Sequence, residues 1–487
     1  MACAGQPISA ADGPLRSLLV AGDSVHAWMV AARLARALRK HEVRVLLLED
    51  DNAQAPGVLC FDPDIHAFHR TLGVEHSGLF RHLRAALRYG SHFADWSGAG
   101  QSGFAGFGSA GQLIDRVPFQ HYVTALRRQR GAARLVDYSP AALAARTGRF
   151  AMDGSGPLAG LEAGLSVERE DYLAFLRALA SDLGVEHVAG KLQRVEYDAN
   201  GHAHTLCLED GRRVSADAYF DCTDDAALAS AGGLIERHPY PAHVEVARRE
   251  LSRARLDGPA PLFDRIVWRE DGWERLRCVA ETVESERVWT VDPGGGCSAA
   301  TTQGVVSAPW QGRCVALGPA LGESVDLVAD RWLLTRRAVD HWLRLLPTRD
   351  PAPKLREEFN RVAIAEALRL ADAQSLPLAA RTPGWATSIR VDEGAMADLR
   401  YRMDLYRASG RLSFHEHEPL PGQRWMMLLE ALGVLPEAAD WLLPAIPPAD
   451  LARRMDQVRD VLARAVAGLP THEQALAHLR QPKGVSQ

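Results

Sequence analysis

Leu18-Leu19-Val20-Ala21-Gly22-Asp23-Ser24-Val25-His26-Ala27-Trp28 sets the architecture of this chain. Its first four residues are an unbroken apolar run, the pattern of a strand buried on both faces. A glycine turn follows, then helical periodicity to about Lys40. A second apolar strand, Val43 to Leu48, ends at Glu49. Strand, turn, helix, strand and acid in that order describe a dinucleotide-binding unit.

The turn departs from the usual glycine pattern. There, the first glycine permits the bend, the second lets backbone amides approach a pyrophosphate, and the third lets the helix pack on the strand. Gly22 serves as the first, Ser24 stands at the second and Ala27 at the third, with Trp28 next. Asp23 adds a carboxylate at the helix mouth, where it could answer the helix dipole itself. Facing a phosphate about 4 Å away, it would cost about 4 kcal/mol at an effective dielectric near 20. That weakens binding by about three orders of magnitude, unless Asp23 points away. Glu49 is placed to accept from a ribose hydroxyl; its plainer reading is a solvated acid beside Asp50 and Asp51.

At 487 residues, 47% hydrophobic and 24% charged, the chain has the composition of a large globular protein. A net charge of -5 gives no general electrostatic case for nucleic acid. Neither a signal peptide nor a membrane span is expected. The seven cysteines are dispersed, without a Cys-x-x-Cys pair, which points to free thiols in a reducing cytoplasm.

Beyond the first unit, Arg169 to Leu183 is amphipathic, Lys191 to Asp198 and Thr205 to Glu209 are strand-like, and Asp210-Gly211 is a hairpin turn. Strand-like alternation runs from Val244 to Val291, a long helical stretch starts near Ser324, and the pattern is mostly helical from about Leu355. The expected fold is α/β: a Rossmann-like FAD/NAD(P)-binding lobe with an antiparallel sheet forming the substrate region, within residues 1–350, and a helical C-terminal region, residues 351–487.

Several segments extend this reading. Phe68-His69-Arg70-Thr71-Leu72-Gly73-Val74, Val117 to Tyr122, Asp137-Tyr138-Ser139, Val214 to Thr223, Gly433 to Pro436 and Leu469 to Glu473 occur in this order. They resemble segments of the flavin-dependent tryptophan halogenases, relatives of the flavin monooxygenases. The resemblance runs from about Ser17 to about His478. It implies FAD as cofactor, a separate flavin reductase as partner and an indole-like aromatic substrate. In the family, hypohalous acid formed at the flavin passes to a lysine that delivers halogen to the ring, with a glutamate assisting. By this resemblance Gly22, Ser24, Ala27, Trp28, Glu49, Gly318 and Gly322 are the cofactor-contact positions, and Arg88 holds the catalytic position.

The departures fall on the chemical segments. The family turn resembles Gly-Gly-Gly-Thr-Ala-Gly-Trp-Met, of which Gly22 and Trp28-Met29 remain. Val58-Leu59-Cys60-Phe61-Asp62-Pro63 stands for the Gly-Glu-Ala-Thr-Ile-Pro loop that wraps the flavin. Arg88 replaces the lysine; a guanidinium stays protonated and cannot carry halogen as an amine does. Its plainer reading is a structural base. Trp289 alone survives from Trp-x-Trp-x-Ile-Pro. Gly322 to Asp330 stands for the flavin and halide loop Gly-Phe-Leu-Glu-Pro-Leu-Glu-Ser-Thr, with Val328 at the glutamate and Ala329-Asp330 at Ser-Thr. Gly318-Pro319 lacks the Gly-Asp common near the ribityl chain.

The preferred expectation is an FAD-linked, monooxygenase-like oxidoreductase whose standard halogenation is lost or altered and whose FAD binding is weak or lost. The alternative is a flavin-free binding protein that pairs with an active paralogue or with itself as a homodimer. His415-Glu416-His417-Glu418 reads as a solvated loop or strand in preference to a metal site, since no third ligand is evident.

Overall fold

The computed structural model describes residues 13–50, 55–114, 116–198, 201–229, 236–244, 246–290, 304–381, 389–441, 443 and 446–480. The opening unit forms as its pattern dictates: strand Ser17–Ala21, helix Val25–Leu38, strand Arg44–Glu49. Ser17–Ala21 is central in a six-stranded sheet. Parallel neighbours are Arg44–Glu49 and then Glu186–Ala189 on one side, Ala218–Asp221 and then Cys314–Ala316 on the other. Trp310–Gln311 closes the edge antiparallel. Leu18, Leu19 and Val20 are buried, as strands covered on both faces require.

A second six-stranded sheet stands where the sequence reading expects the antiparallel sheet. Arg248–Arg255, Thr282–Trp289, Gly272–Val279 and Asp264–Arg269 run antiparallel in that order. Gly90–Ala94 then pairs parallel with Asp264–Arg269, and Ser102–Gly106 pairs antiparallel with Gly90–Ala94. A smaller antiparallel sheet places Gly164–Glu168 between Val58–Phe61 and Ala85–Arg88. The Asp210-Gly211 hairpin forms, with Gly211 at φ +85° and strand Ala203–Leu208 paired to Arg213–Val214.

The C-terminal chain is mainly helical, with Pro353–Ala380, Glu393–Ser409, Gly422–Ala431, Pro448–Ala467 and His472–Arg480. Phe359, Leu462 and Val466 join the hydrophobic core that holds Leu18 and Val20. Trp425 and Met427 join the core behind the second sheet, with Phe93 and Ile266.

The helix expected from Ser324 starts instead at Leu333. Polar contacts hold the preceding residues as a loop. Gln374 Oε1 accepts from Leu327 N at 2.8 Å and Val328 N at 2.7 Å, and its Nε2 donates to Ala329 O at 2.9 Å. An amide that satisfies backbone groups directly removes the need for a helical turn there.

Among the described residues no helix is long and apolar enough to cross a membrane, and no cluster of three or more His, Cys, Asp or Glu could hold a metal. Cys60, Cys207, Cys222, Cys278 and Cys314 are buried free thiols; Cys3 and Cys297 lie outside the described residues. His415 to Glu418 lie in a loop, where Glu418 accepts from Arg402 at 2.7 Å and from the Trp425 indole at 3.1 Å.

Candidate functional site: a dinucleotide cleft joined to a buried ion-pair network

Gly22, Ser24, Ala27, Trp28, Glu49 and Gly318 gather at the C-terminal edge of the parallel sheet, where open α/β folds bind their ligands. Gly22 has φ +137°, and a Cβ there would lie 2.8 Å from Cys222 O. Only glycine can let these two strand ends approach so closely. Ser24 is the N-cap of the helix, yet its side chain bonds no helix amide, and its buried Oγ has no partner. Ala27 is fully buried against the core. Asp23 does not fill the capping role suggested by its place in the turn. It precedes the N-cap, and the first helical turn holds no acid.

Glu49 is 7% exposed and already engaged. Its Oε1 accepts from Trp28 Nε1 at 3.1 Å and from Arg177 Nη2 at 2.5 Å. His187 Nε2 lies 3.0 Å from Oε2. The Arg177 guanidinium also lies over the Trp28 ring, 5.5 Å from its centroid. A carboxylate offers about four lone-pair sites, and three here have donors.

Gly318 begins a short 3-10 turn with φ +58° and faces the first helix. A Cβ on Gly318 would lie 2.8 Å from His26 Cγ and 2.9 Å from its Nδ1, so the imidazole fills the space between helix and turn. His26 is 5% exposed, and its Nδ1 lies 2.7 Å from Thr335 Oγ1. Its ring centroid is 5.9 Å from that of Trp332. Burial, followed by the positive charges of Arg331 and Arg336, pushes its pKa down to about 3, so the ring is neutral at pH 7. In the Rossmann arrangement a dinucleotide's diphosphate lies at the start of this helix, beside which the His26 ring is packed. The turn keeps the glycine bend and the acid of an FAD site, with an imidazole packed between helix and Gly318.

Gly322 lies elsewhere, in strand Gly322–Glu323 against Gly304–Val306. A Cβ there would approach Gly304 O at 2.5 Å, which makes close strand packing sufficient reason for this glycine.

Arg88 ends strand Ala85–Arg88 and is 1% exposed. Its Nη1 donates to Asp62 Oδ1 at 2.7 Å, its Nε to Asp264 Oδ1 at 3.0 Å and its Nη2 to Ser91 Oγ at 3.0 Å. Asp264 also takes Arg275 Nε at 2.9 Å. Burial works against the Arg88 charge, but Asp264 and Asp62 together raise its pKa. Burial likewise opposes ionisation of Asp264, yet the Arg88 and Arg275 guanidiniums hold its carboxyl below the usual range.

The network continues through the segments that depart from the family motifs. Asp62 N donates to Asp330 Oδ2 at 2.7 Å. Arg336 Nη1 and Nη2 donate to Asp330 at 3.1 and 3.0 Å, and Arg336 also clamps Asp64 at 2.7 Å. Burial, offset in part by Arg336, pushes Asp330 up to about 7. Val328 is buried, and its carbonyl accepts from Arg424 Nη2 at 3.0 Å. A cavity of about 460 Å³ opens beside the network, with Asp62, Asp64, Phe107, Leu333, Arg337 and Arg424 in its wall. Trp289 ends its strand, flanked by Arg248 and Arg287; Val291, Asp292 and Pro293 lie outside the described residues.

Three important residues escaped the sequence reading: His26, Arg336 and Asp264. His26 carried a readable signal, a bulky side chain where the family turn has alanine. Arg336 and Asp264 carried none, because their partners are distant in sequence.

The tryptophan halogenase family model matches residues 17–239 and 297–448. Tryptophan 7-halogenase RebH of Lentzea aerocolonigenes is 25% identical over 230 residues, a stretch covering 43% of this chain and 43% of RebH, less than half of that relative. The structure is similar to BrvH, a flavin-dependent halogenase from Brevundimonas sp. BAL3, with TM-score 0.86, 24% identity and coverage of 96% of this chain and 99% of BrvH. It is similar to Xcc4156, a flavin-dependent halogenase from Xanthomonas campestris, with TM-score 0.86, 23% identity and coverage of 96% and 99%. At these identities the structural likeness speaks for the fold alone, while the family match extends over most of the sequence. On that match, the chain belongs to the tryptophan halogenase family.

Proposed function

We propose that this chain is a flavin-linked member of the family in which amine-dependent halogen transfer has been lost. The observation that carries this reading is the state of Arg88. The residue at the lysine position is buried, permanently charged and bonded to Asp62, Asp264 and Ser91. It has no neutral nitrogen to carry halogen and no exposed face to offer a substrate. FAD is the cofactor that family membership brings to this chain, with a flavin reductase as partner and an electron-rich aromatic substrate. Gly22 and Glu49 support FAD as the ligand of the cleft; His26 and the donors on Glu49 support weak binding.

The altered segments also favour replacement over decay. Arg88 meets Asp62, Asp62 meets Asp330, and Asp330 meets Arg336. Breaking one member of a buried pair costs about 3–5 kcal/mol, so each of these residues depends on its partner.

A second reading, a flavin-free binding protein acting with an active paralogue or with a second copy, is favoured by the engagement of Glu49 with Trp28, Arg177 and His187. Two measurements separate the readings: flavin content with FAD titration, and a reductase-coupled assay with bromide and tryptophan or indole. The proposal expects measurable FAD affinity and no brominated product. Brominated product from the unaltered protein refutes it; complete absence of FAD binding favours the flavin-free reading.

A further inference from the structure

We propose that His26 is a displaceable plug in the dinucleotide cleft, and that this side chain, rather than the Asp23 carboxylate, sets the affinity for FAD. The inference rests on the family reading above and deepens it. Three observations carry it. First, the imidazole occupies the space between the start of the first helix and the Gly318 turn so tightly that a single added carbon on Gly318 would meet it at 2.8 Å. Second, the ring is latched: Nδ1 lies 2.7 Å from Thr335 Oγ1, on the helix Leu333–Leu345, and the Trp332 ring packs against it at a tilt, centroids 5.9 Å apart. Third, the helix mouth keeps its attraction for an anion. Ser24 Oγ is buried without a partner, Ser24 makes no side-chain cap, and no acid stands in the first turn. The positive helix end is therefore retained, while the room for a phosphate beside it is taken by a neutral ring.

Rotation of His26 away from Gly318 is the movement that opens the cleft. It breaks the Thr335 hydrogen bond and moves a packed ring, so the open form is a minor population. Apparent affinity is reduced by that fraction. Removing the ring abolishes the penalty. Removing only the latch lowers it.

The test is titration of the purified full chain with oxidised FAD, followed by flavin fluorescence and calorimetry, for the wild type, His26→Ala, Thr335→Val and Asp23→Gly. His26→Ala is expected to bind at least about tenfold more tightly than wild type, Thr335→Val to fall between them, and Asp23→Gly to gain less than His26→Ala. Thr335→Val keeps the ring and most of the packing, so it reports on the latch even if His26→Ala does not fold. Stoichiometric FAD in the wild type as purified overturns the proposal. So does unchanged affinity in the folded His26 and Thr335 variants, or a larger gain from Asp23→Gly. None of these outcomes bears on halogen transfer, which the reductase-coupled assay reads separately.

Discussion

Restoring the family's lysine should not restore its chemistry. In Arg88→Lys, one ammonium replaces a planar fork that reaches Asp264 at 3.0 Å, Asp62 at 2.7 Å and Ser91 at 3.0 Å from three separate nitrogens. A single nitrogen cannot span all three sites. Losing two charge-assisted hydrogen bonds at roughly 1.5–3 kcal/mol each gives about 3–6 kcal/mol, of which the lysine's own contact recovers part. A net loss of about 3 kcal/mol is expected. With unfolding entropy near 2.1 cal/mol/K per residue, a chain of this size loses about 3 °C in melting temperature by calorimetry. The amine would also stay protonated. One carboxylate about 4 Å away favours the ammonium by about 4 kcal/mol at an effective dielectric near 20, and two favour it by about 8. That corresponds to about six pH units, against which burial works only in part. Arg88→Lys should therefore give no brominated tryptophan or indole in a reductase-coupled assay read by mass spectrometry, alone or with His26→Ala. Brominated product from either variant, or an unchanged melting temperature, would refute the view of Arg88 as a structural member of an ionic network.

Asp264→Asn leaves two buried guanidiniums sharing one lost partner and should cost about 3–5 kcal/mol in denaturant titration, well beyond an exposed Asp→Asn control. Gly318→Ala should destabilise by about 2 kcal/mol or more from its left-handed backbone and the collision with His26, and His26→Ala should relieve the collision; additive effects in this double-mutant cycle would contradict the packing. Acid stability should report His472, whose pKa burial lowers to about 4 and whose Nε2 accepts from Leu87 N at 3.2 Å. A depressed histidine pKa stabilises fully above about 6.5 and is lost as pH falls toward the folded value. His472→Gln should thus gain up to about 1.4 kcal/mol per pH unit relative to wild type between pH 6.5 and 4.5, measured by melting at each pH. Asp330→Asn should show the opposite trend, because a carboxyl raised to about 7 favours the fold at low pH and loses that contribution as pH rises to 7.

Much of the architecture was legible in local pattern. Leu18 to Ala21 could only be an interior strand, Gly22 a tight turn and Asp210-Gly211 a hairpin, because these depend on periodicity and on φ preferences carried by single residues. The late start of the helix at Leu333 was not legible. The amide that holds the preceding loop, Gln374, lies on another helix dozens of residues away.

The candidate site divides along the same line. Which motif positions had changed was plain from residue identities alone: serine for glycine at position 24, arginine for lysine at 88, valine for glutamate at 328. What those changes do depends on partners brought together from distant parts of the chain. Asp62 and Asp264 make Arg88 a structural cation, Arg336 joins Asp330 to Asp64, and Gly318 turns His26 from a helix residue into a plug. Charge and bulk are properties of a residue. Whether they are paired, buried or in the way is a property of packing, and packing exists only once the sheets and helices have closed on one another.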